Sequence, residues 1–138
     1  MPLLMAALLG AKEMMAQHYK ITVTITGLRS EKGKLYLSLY NSDEGYPKKA
    51  SAAFRLSSAP ISDGKATIML DDIPKGIYAI ACYHDENNNG KLDTNFFGIP
   101  AEGTGASNNA RGSWGPPKFR DAKFAVDSDV SQTIRIVY

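Results

Sequence analysis

Apolar and polar residues alternate along short stretches of this chain, and residues typical of turns separate the stretches. The run ITVTIT at residues 21–26 places three aliphatic side chains on one face and three threonines on the other. The run LYLSLY at residues 35–40 repeats the pattern with three leucines. Because successive side chains of a strand point to opposite faces, this period of two predicts β-strands with one buried face.

Further short apolar stretches bring the expected number of strands to about seven. The stretch at 77–84 is apolar on both faces, as expected for a central strand. Turn signals separate the strands, including DDIPKG at Asp71–Gly76 and the turn at Asp127–Asp129. The pattern predicts one all-β domain over residues 17–138, an antiparallel β-sandwich of about seven strands. The other strands are expected at 52–56, 66–70, 122–126 and 133–138.

A long stretch between the fifth and sixth strands shows neither period. Thr94–Asp121 is rich in Gly, Asn and Pro, yet aromatic and aliphatic residues recur along it. Stretches longer than about 12–15 residues without regular structure are uncommon in compact domains unless they serve a function or are disordered. Because the apolar residues provide anchors, we expect one long packed loop without a strand or helix.

The first sixteen residues differ from the rest of the chain. Residues 2–11 read PLLMAALLGA, an uncharged run too short to span a membrane, since a span needs about 20 apolar residues. Its size suits the apolar centre of a secretory signal, although no Lys or Arg precedes it. A start codon assigned too far downstream would explain the missing basic end. Residues 1–16 are therefore interpreted as a signal peptide, truncated at its start, or as a short helix packed on the domain.

Charge and cysteine content narrow the functional classes. Sixteen basic and fourteen acidic residues are interspersed along the chain and leave a net charge of +2. The sequence therefore lacks the cluster of basic residues that is typical of a nucleic-acid-binding protein. The single cysteine, Cys82, excludes an intrachain disulfide. It lies in an apolar run, so we expect a small buried hydrophobic side chain and not a reactive thiol.

The segment DENNNGKLD at residues 85–93 has the spacing of a cation-binding loop. Side-chain oxygens occur at its first, third, fifth and ninth positions, which are Asp85, Asn87, Asn89 and Asp93, and a glycine occupies the sixth position. Calcium loops use such spacing, with the carbonyl of the seventh residue, here Lys91, as a further ligand. The sequence therefore predicts a weak Ca²⁺ site with a dissociation constant on the order of 10⁻⁴ to 10⁻³ M.

The calcium pattern is incomplete, and a second interpretation stays open. Position twelve is Phe96, where a bidentate glutamate is expected, and the segment entering the loop is a strand instead of a helix. Glu102, a main-chain carbonyl or water are candidates for the missing ligand. The alternative is a structural turn in which Asn and Asp side chains bond to their own backbone, with no metal.

Trp114 and His84 suggest two other kinds of site. Trp114, with Asn108, Asn109 and Arg111 nearby in sequence, suits stacking on a sugar ring or a peptide, or else the tryptophan pins the loop onto the domain. His84 next to Asp85 is the one histidine of the domain apart from His18 at its edge, and a hydrolase built around His84 is a further interpretation. Spacing alone assigns no Ser–His–Asp or paired-carboxylate set, so a non-enzymatic protein is expected.

Several long motifs resemble a bacterial family. The run YAIACYHDENNNGKLDTNFFGIPAEG, followed by SNNARG and WGPPKFRDAKF, is similar to the domain-of-unknown-function family 2141. The likeness continues more weakly from Ile21 to Tyr138 through GLRSEKG and DDIPKGIYAIA. Thr104 and Ala106 depart from it, since the family pattern tends to carry aromatic residues there.

The resemblance implies a short exported protein with an Ig-like or transthyretin-like (prealbumin-like) β-sandwich, and it supplies no catalytic residues. We therefore expect a binding or structural module located in the periplasm, at the cell surface or secreted. Its expected partner is a protein or glycan of the cell envelope.

Overall fold

The computed structural model describes residues 17–93, 101–113 and 115–138, and this part of the chain is mostly β-structure. It contains eight strands, two short 3₁₀ helices at Ala50–Ala52 and Ser107–Asn109, and one α-helix, α1, at Phe119–Ala122. The strands are β1 (His18–Thr26), β2 (Lys34–Tyr40), β3 (Arg55–Ala59), β4 (Ala66–Pro74), β5 (Gly76–Asp85), β6 (Thr104–Ala106), β7 (Phe124–Val126) and β8 (Val130–Arg135).

The strands form two sheets that share one hydrophobic core. The first sheet has the order β4-β1-β8, and the second has the order β3-β2-β5-β6, with β7 also pairing with β5. The alternating aliphatic residues of β1 and β2 are all buried in this core, as the period of two predicts. Ile80 and Cys82 of β5 join them from the centre of the second sheet.

One strand pair differs from the antiparallel arrangement predicted. β1 and β8 run parallel, with Ile21 opposite Val130 and Ile25 opposite Ile134, whereas the other strand pairs of the described residues are antiparallel. Parallel neighbours need a long connection, and nearly the whole described chain lies between these two strands. Such a pairing leaves no local trace in the sequence.

The expectation that Thr94–Asp121 lacks regular structure is wrong for its described part. It contains β6, the second 3₁₀ helix and the start of α1, and β6 accounts for the eighth strand. β6 is only three residues long and contains Gly105, so its sequence has no usable period. Gly105 allows close packing, because an added Cβ would lie 2.6 Å from an Ile134 methyl carbon.

Several predicted boundaries also need correction, since the strands expected at 52–56 and 133–138 are observed at Arg55–Ala59 and Val130–Arg135. The DDIPKG segment is part of the hairpin's strands, because β4 continues to Pro74 and β5 starts at Gly76. Ala122 belongs to α1 and not to the following strand. The turn at Asp127–Asp129 is confirmed. Residues 1–16 lie outside the described part of the chain. Among residues 17–93, 101–113 and 115–138, no helix is long and apolar enough to cross a bilayer.

The outer face of the second sheet is partly covered. Ala79, Ala106 and Ala122 form a small second cluster, against which Tyr46 and Phe119 pack. The Ser107 hydroxyl accepts the Ile80 N–H at 2.9 Å and donates to the Ala122 carbonyl at 2.5 Å, which fixes α1 over the sheet. The opposite end of the face, around Tyr36 and Tyr83, is not covered by α1 or by the second 3₁₀ helix, which pack near Ala79 and Ala106.

Gly33 permits a close approach between the β1–β2 turn and the end of β5. Its φ is +66°, and a Cβ added there would lie 1.7 Å from the Asp85 carbonyl oxygen. Any larger residue must therefore displace the backbone at the point where the candidate loop begins. This contact makes the position of Asp85 depend on a glycine more than fifty residues earlier.

We predict that Gly33→Ala lowers the free energy of unfolding by about 3 kcal/mol or more, since it combines an overlap with a positive φ. Urea denaturation measures this loss. Gly90→Ala is the matched control, because Gly90 has a φ of +77° but no atom within 4 Å of an added Cβ. Its expected cost is only about 1 kcal/mol. Equal losses in the two variants would contradict the proposed contact.

Candidate functional site

The candidate site begins where the central strand of the second sheet ends. β5 carries apolar residues along most of its length, but its last two residues, His84 and Asp85, are polar and fully buried. A buried polar group is costly unless it is hydrogen-bonded. The two residues therefore determine how the surrounding turns and loops are arranged.

The Asp85 carboxylate organises the first half of the loop through backbone groups. One oxygen accepts the Asn89 N–H at 3.2 Å, and the other accepts the Gly90 N–H at 2.7 Å. These bonds bring the loop back over the end of β5, with Asn88 at a φ of 57° and Gly90 also at positive φ. The loop is thus closed by a carboxylate at its first position.

The Asp93 carboxylate lies across the loop from two asparagine amides. The Asn89 side-chain nitrogen donates to Asp93 Oδ1 at 2.7 Å, and the Asn87 side-chain nitrogen donates to Asp93 Oδ2. The Asn87 and Asn89 amide oxygens accept the N–H groups of Asn89 and Lys91, at 3.3 Å and 3.1 Å. The structure therefore brings the predicted side chains at positions 85, 87, 89 and 93 into one loop.

Glu102 lies beside the loop in a role different from the ligand role considered for it. Its nearly buried carboxylate accepts the Glu86 N–H at 2.8 Å and the Asp93 N–H at 3.0 Å. It holds the first and last parts of the loop together through backbone groups. The Ala101 N–H also donates to the Asp93 carbonyl at 2.8 Å, so residues 93 and 101 are adjacent.

An ion pair that sequence reasoning missed fixes the loop to the β1–β2 turn. The Arg29 guanidinium donates to Glu86 Oε1 through Nε at 2.8 Å, and the Ser30 hydroxyl donates to Oε2 at 2.9 Å. The Arg29 hydrogen bond is the main cause that lowers the pKa of Glu86 from its ordinary value of 4.5. The pairing spans 57 residues, and no local spacing in the sequence indicates it.

His84 is held on both ring nitrogens by protein groups. Nε2 lies 2.7 Å from the Lys32 carbonyl, which can only accept, so Nε2 carries the hydrogen. Nδ1 lies 2.7 Å from the Tyr138 hydroxyl, which in turn accepts the Arg29 N–H at 3.0 Å. Burial raises the pKa of Tyr138, so this hydroxyl keeps its proton. The imidazole therefore serves as a buried link between the first turn and the last residue.

The other polar residues singled out in the sequence are dispersed. The Asn108 side chain donates to the Lys123 carbonyl at 2.9 Å, and the Asn109 side chain accepts the Arg135 N–H at 2.9 Å. Both amides are therefore used within the fold, one of them along the edge of β8. Arg111 lines a separate groove of about 700 Å³ beside Tyr46 and Phe119, while Trp114 and Phe96 lie outside the described residues.

Cys82 is a buried core residue, as predicted. It lies in the main core, and burial raises the pKa of its thiol to about 12. The reactive form of cysteine is the thiolate, which this environment disfavours. Cys82 contributes to packing between the sheets.

Within residues 17–93, 101–113 and 115–138, no three His, Cys, Asp or Glu side chains lie together as a metal-binding group. The candidate loop offers two carboxylates, Asp85 and Asp93, and two asparagine amides. In the same residues the ion pairs are His18–Asp72 and Arg29–Glu86, so neither loop aspartate has a cationic side-chain partner there. Asp85 and Asp93 thus bring two negative charges to one loop, which also contains the Arg29-paired Glu86 and lies beside the Glu102 carboxylate.

Fold and site together define an all-β protein of two sheets, with an oxygen-rich loop at the end of its central strand. The chain belongs to the family described as "Uncharacterized protein conserved in bacteria (DUF2141)", whose model matches residues 23–135. No curated protein and no solved structure matched the chain in the corresponding comparisons. The match confirms the resemblance read from the central motif.

We predict that Glu102→Gln weakens the closure of the loop. One carboxylate oxygen becomes an amide NH₂ facing a backbone N–H, which removes an acceptor from a buried donor at a cost of about 1–3 kcal/mol. Urea denaturation gives the loss, and hydrogen exchange at the Glu86 and Asp93 amides locates it. Glu31→Gln is the control, because Glu31 is exposed and accepts a single N–H, from Asp63 at 3.0 Å. Unchanged exchange at both loop amides would contradict the clamp.

We predict a pH-dependent contribution from Glu86. Its folded-state pKa lies below the unfolded value, so the ionised carboxylate stabilises the fold above pH 4.5. That contribution is lost as the pH falls through the folded-state pKa. Wild type should exceed Glu86→Gln by about 0.5–1 kcal/mol at neutral pH, and by less in acid. Urea denaturation along a pH series tests this, with the exposed Glu44→Gln as control. A gap that stays constant into acid would refute it.

Proposed function

We propose that this chain is an exported, non-enzymatic binding module of the bacterial cell envelope whose Asp85–Asp93 loop takes up Ca²⁺. The single observation that carries the proposal is the position of Asp93. Its carboxylate lies opposite the Asn87 and Asn89 side chains, in a loop closed at the other end by the buried Asp85 carboxylate. Three of the four oxygen-bearing side chains with calcium-loop spacing therefore contact one another, and the fourth, Asp85, bonds to the backbone of the same loop.

The hydrogen bonds of the loop leave room for a cation among its ligands. An ionised carboxylate offers about four lone-pair sites, and the two backbone N–H groups on Asp85 use two of them. Rotating an asparagine amide by half a turn exchanges its nitrogen and oxygen. Asn87 and Asn89 can thus present oxygens toward Asp93 if they release the Asn89 and Lys91 N–H groups that these oxygens now accept. With the Lys91 carbonyl and water, this supplies the six to eight oxygens that Ca²⁺ takes.

The charge of the loop favours a cation over the purely structural turn. Asp85 is fully buried, and within the described residues its carboxylate is balanced by backbone N–H groups and not by a cationic side chain. Asp93 adds a second negative charge to the same loop. A divalent ion would offset both, and through the Glu102 clamp it would also hold residues 101–109 in place. Two formal charges support only weak binding.

The finer assignments belong to the same proposal. We place the fold in the Ig-like or transthyretin-like class of β-sandwiches, supported by the number of strands and their division between two sheets. Export is supported by the apolar run at residues 2–11. The non-enzymatic reading is supported by His84, whose two ring nitrogens are both engaged by protein groups. The partner would be a protein or glycan of the envelope.

Calcium should raise the melting temperature of the full chain. At about 10 mM Ca²⁺, dissociation constants of about 10⁻⁴ to 10⁻³ M correspond to roughly 1.4–2.7 kcal/mol of added stability. For a domain of this size we expect a rise of roughly 5–10 °C. Differential scanning calorimetry with and without EDTA measures the rise, and Mg²⁺ at equal concentration controls for ionic strength.

Asp93→Asn should abolish the calcium response while keeping the shape of the side chain. Asp127→Asn is the matched control, since Asp127 lies in the exposed turn between β7 and β8 and should leave the response intact. No rise in wild type beyond that given by Mg²⁺ would eliminate the calcium site. The loop would then be a structural turn held by its own amides.

A further inference from the structure

The end of the second sheet's outer face that lies away from α1 carries a row of hydroxyl and aromatic side chains. On β2, Tyr36 lies opposite Ser58 of β3 on one side and Tyr83 of β5 on the other. The two tyrosine rings stack, with their centroids 5.5 Å apart and an angle of 17° between their planes. Cross-strand pairing thus produces a rigid aromatic wall of two rings, standing on the sheet.

A recess lies beside this wall because the next row of cross-strand neighbours has a small side chain, Ser38, at its centre. Ser38 lies opposite Leu56 on one side and Ala81 on the other. Ser38 and Ala81 make a low floor, while Leu56 rises beyond it and is 58% exposed. Together with the tyrosines these residues define a groove of about 400 Å³. That volume lies in the range of small-molecule sites, about 300–1,000 Å³.

The groove is lined entirely by uncharged residues, although 22% of the chain is Asp, Glu, Lys or Arg. The lining combines aromatic and aliphatic side chains with Ser38 and Ser58, which lie on the same face of the sheet as Tyr36 and Leu56. An ionic ligand would find no opposite charge there. A neutral ligand that offers both C–H faces and hydroxyl groups matches the lining in polarity and in shape.

The tyrosine wall is also fixed in place. The Tyr83 hydroxyl donates to the Gly90 carbonyl at 3.3 Å, and burial raises the pKa of Tyr83 to about 12, so this hydroxyl stays protonated. Both rings are half-buried, which limits their rotamer freedom before any ligand arrives. The wall is therefore arranged in advance for stacking.

We propose that this groove, built on Tyr36, Ser38, Leu56 and Tyr83, binds a neutral oligosaccharide, with a sugar ring stacked against the tyrosine wall and its hydroxyls facing the serines. The site shares only Gly90 with the Asp85–Asp93 loop and does not require a bound ion. It also differs from the Trp114 region considered from the sequence, whose neighbouring asparagines are used within the fold.

Two-dimensional NMR of the full chain, titrated with maltohexaose, cellohexaose, laminarihexaose and chitohexaose at up to about 10 mM, tests the proposal. All titrations contain Ca²⁺, so that a failure of the groove is not confused with a failure of the loop. We expect at least one of the four to shift the signals of Tyr36 and Tyr83. An acidic oligosaccharide, oligogalacturonate, and a neutral hexapeptide serve as comparison ligands.

Two variants probe the site independently of folding. Tyr36→Ala should weaken binding about tenfold or more. Leu56→Asp places a charge at the rim on a side chain that is already exposed, so the fold is kept and binding should be lost. Met69→Asp is the matched control, since Met69 is 59% exposed on the other sheet and should leave binding unchanged.

Four outcomes would overturn the proposal. They are no shift with any neutral oligosaccharide, shifts that persist in Leu56→Asp, equal or stronger binding of oligogalacturonate, and binding of the hexapeptide alone. Light scattering on the same samples adds a fifth, because a dimer that Leu56→Asp dissociates would assign the groove to a second copy of the chain.

Discussion

The end of the central strand sets the main constraint on this structure. The last two residues of β5, His84 and Asp85, are fully buried, so each hydrogen-bonding group of their side chains needs a partner within the protein. The side-chain partners come from three segments, which are the β1–β2 turn, the loop that follows β5, and Tyr138. In the described part of the chain no buried side-chain nitrogen or oxygen is left without one. The loop's shape is thus a consequence of burial and not of its own sequence alone.

The sequence predicted those features that depend on local pattern. The strands at 21–26 and 35–40 follow from alternation, and the buried Cys82 follows from its apolar run. Within the candidate loop, the side chains at positions 87 and 89 contact that of position 93, whereas Asp85 bonds to backbone N–H groups, and the cation site itself stays a prediction. In each case the interacting residues are either on one strand or within nine positions of one another.

The features that sequence reasoning missed all depend on distant pairs. The parallel contact of β1 with β8, the Arg29–Glu86 ion pair and the His84–Tyr138 hydrogen bond join segments that only the completed fold brings together. β6 was missed because three residues containing a glycine have no period to read. Glu102 was considered as a metal ligand because its charge is visible in the sequence. Its actual bonds go to backbone groups, which a sequence does not display.

Gly90 connects the two candidate sites through one residue. Its N–H donates to the buried Asp85 carboxylate, and its carbonyl accepts the Tyr83 hydroxyl from the aromatic wall. A cation that tightened the loop around Asp85 would therefore also restrain Tyr83. The hydrogen bond from the Tyr83 hydroxyl to the Gly90 carbonyl is long, at 3.3 Å. A typical neutral hydrogen bond contributes about 0.5–1.5 kcal/mol to stability. The coupling free energy between the two sites is therefore at most about 1 kcal/mol. By thermodynamic reciprocity, a sugar on the wall would strengthen calcium binding by the same factor as calcium strengthens sugar binding. A factor of that size, about fivefold, is too small to make either ligand obligatory for the other. The geometry thus favours two sites that act nearly independently on one rigid pair of sheets.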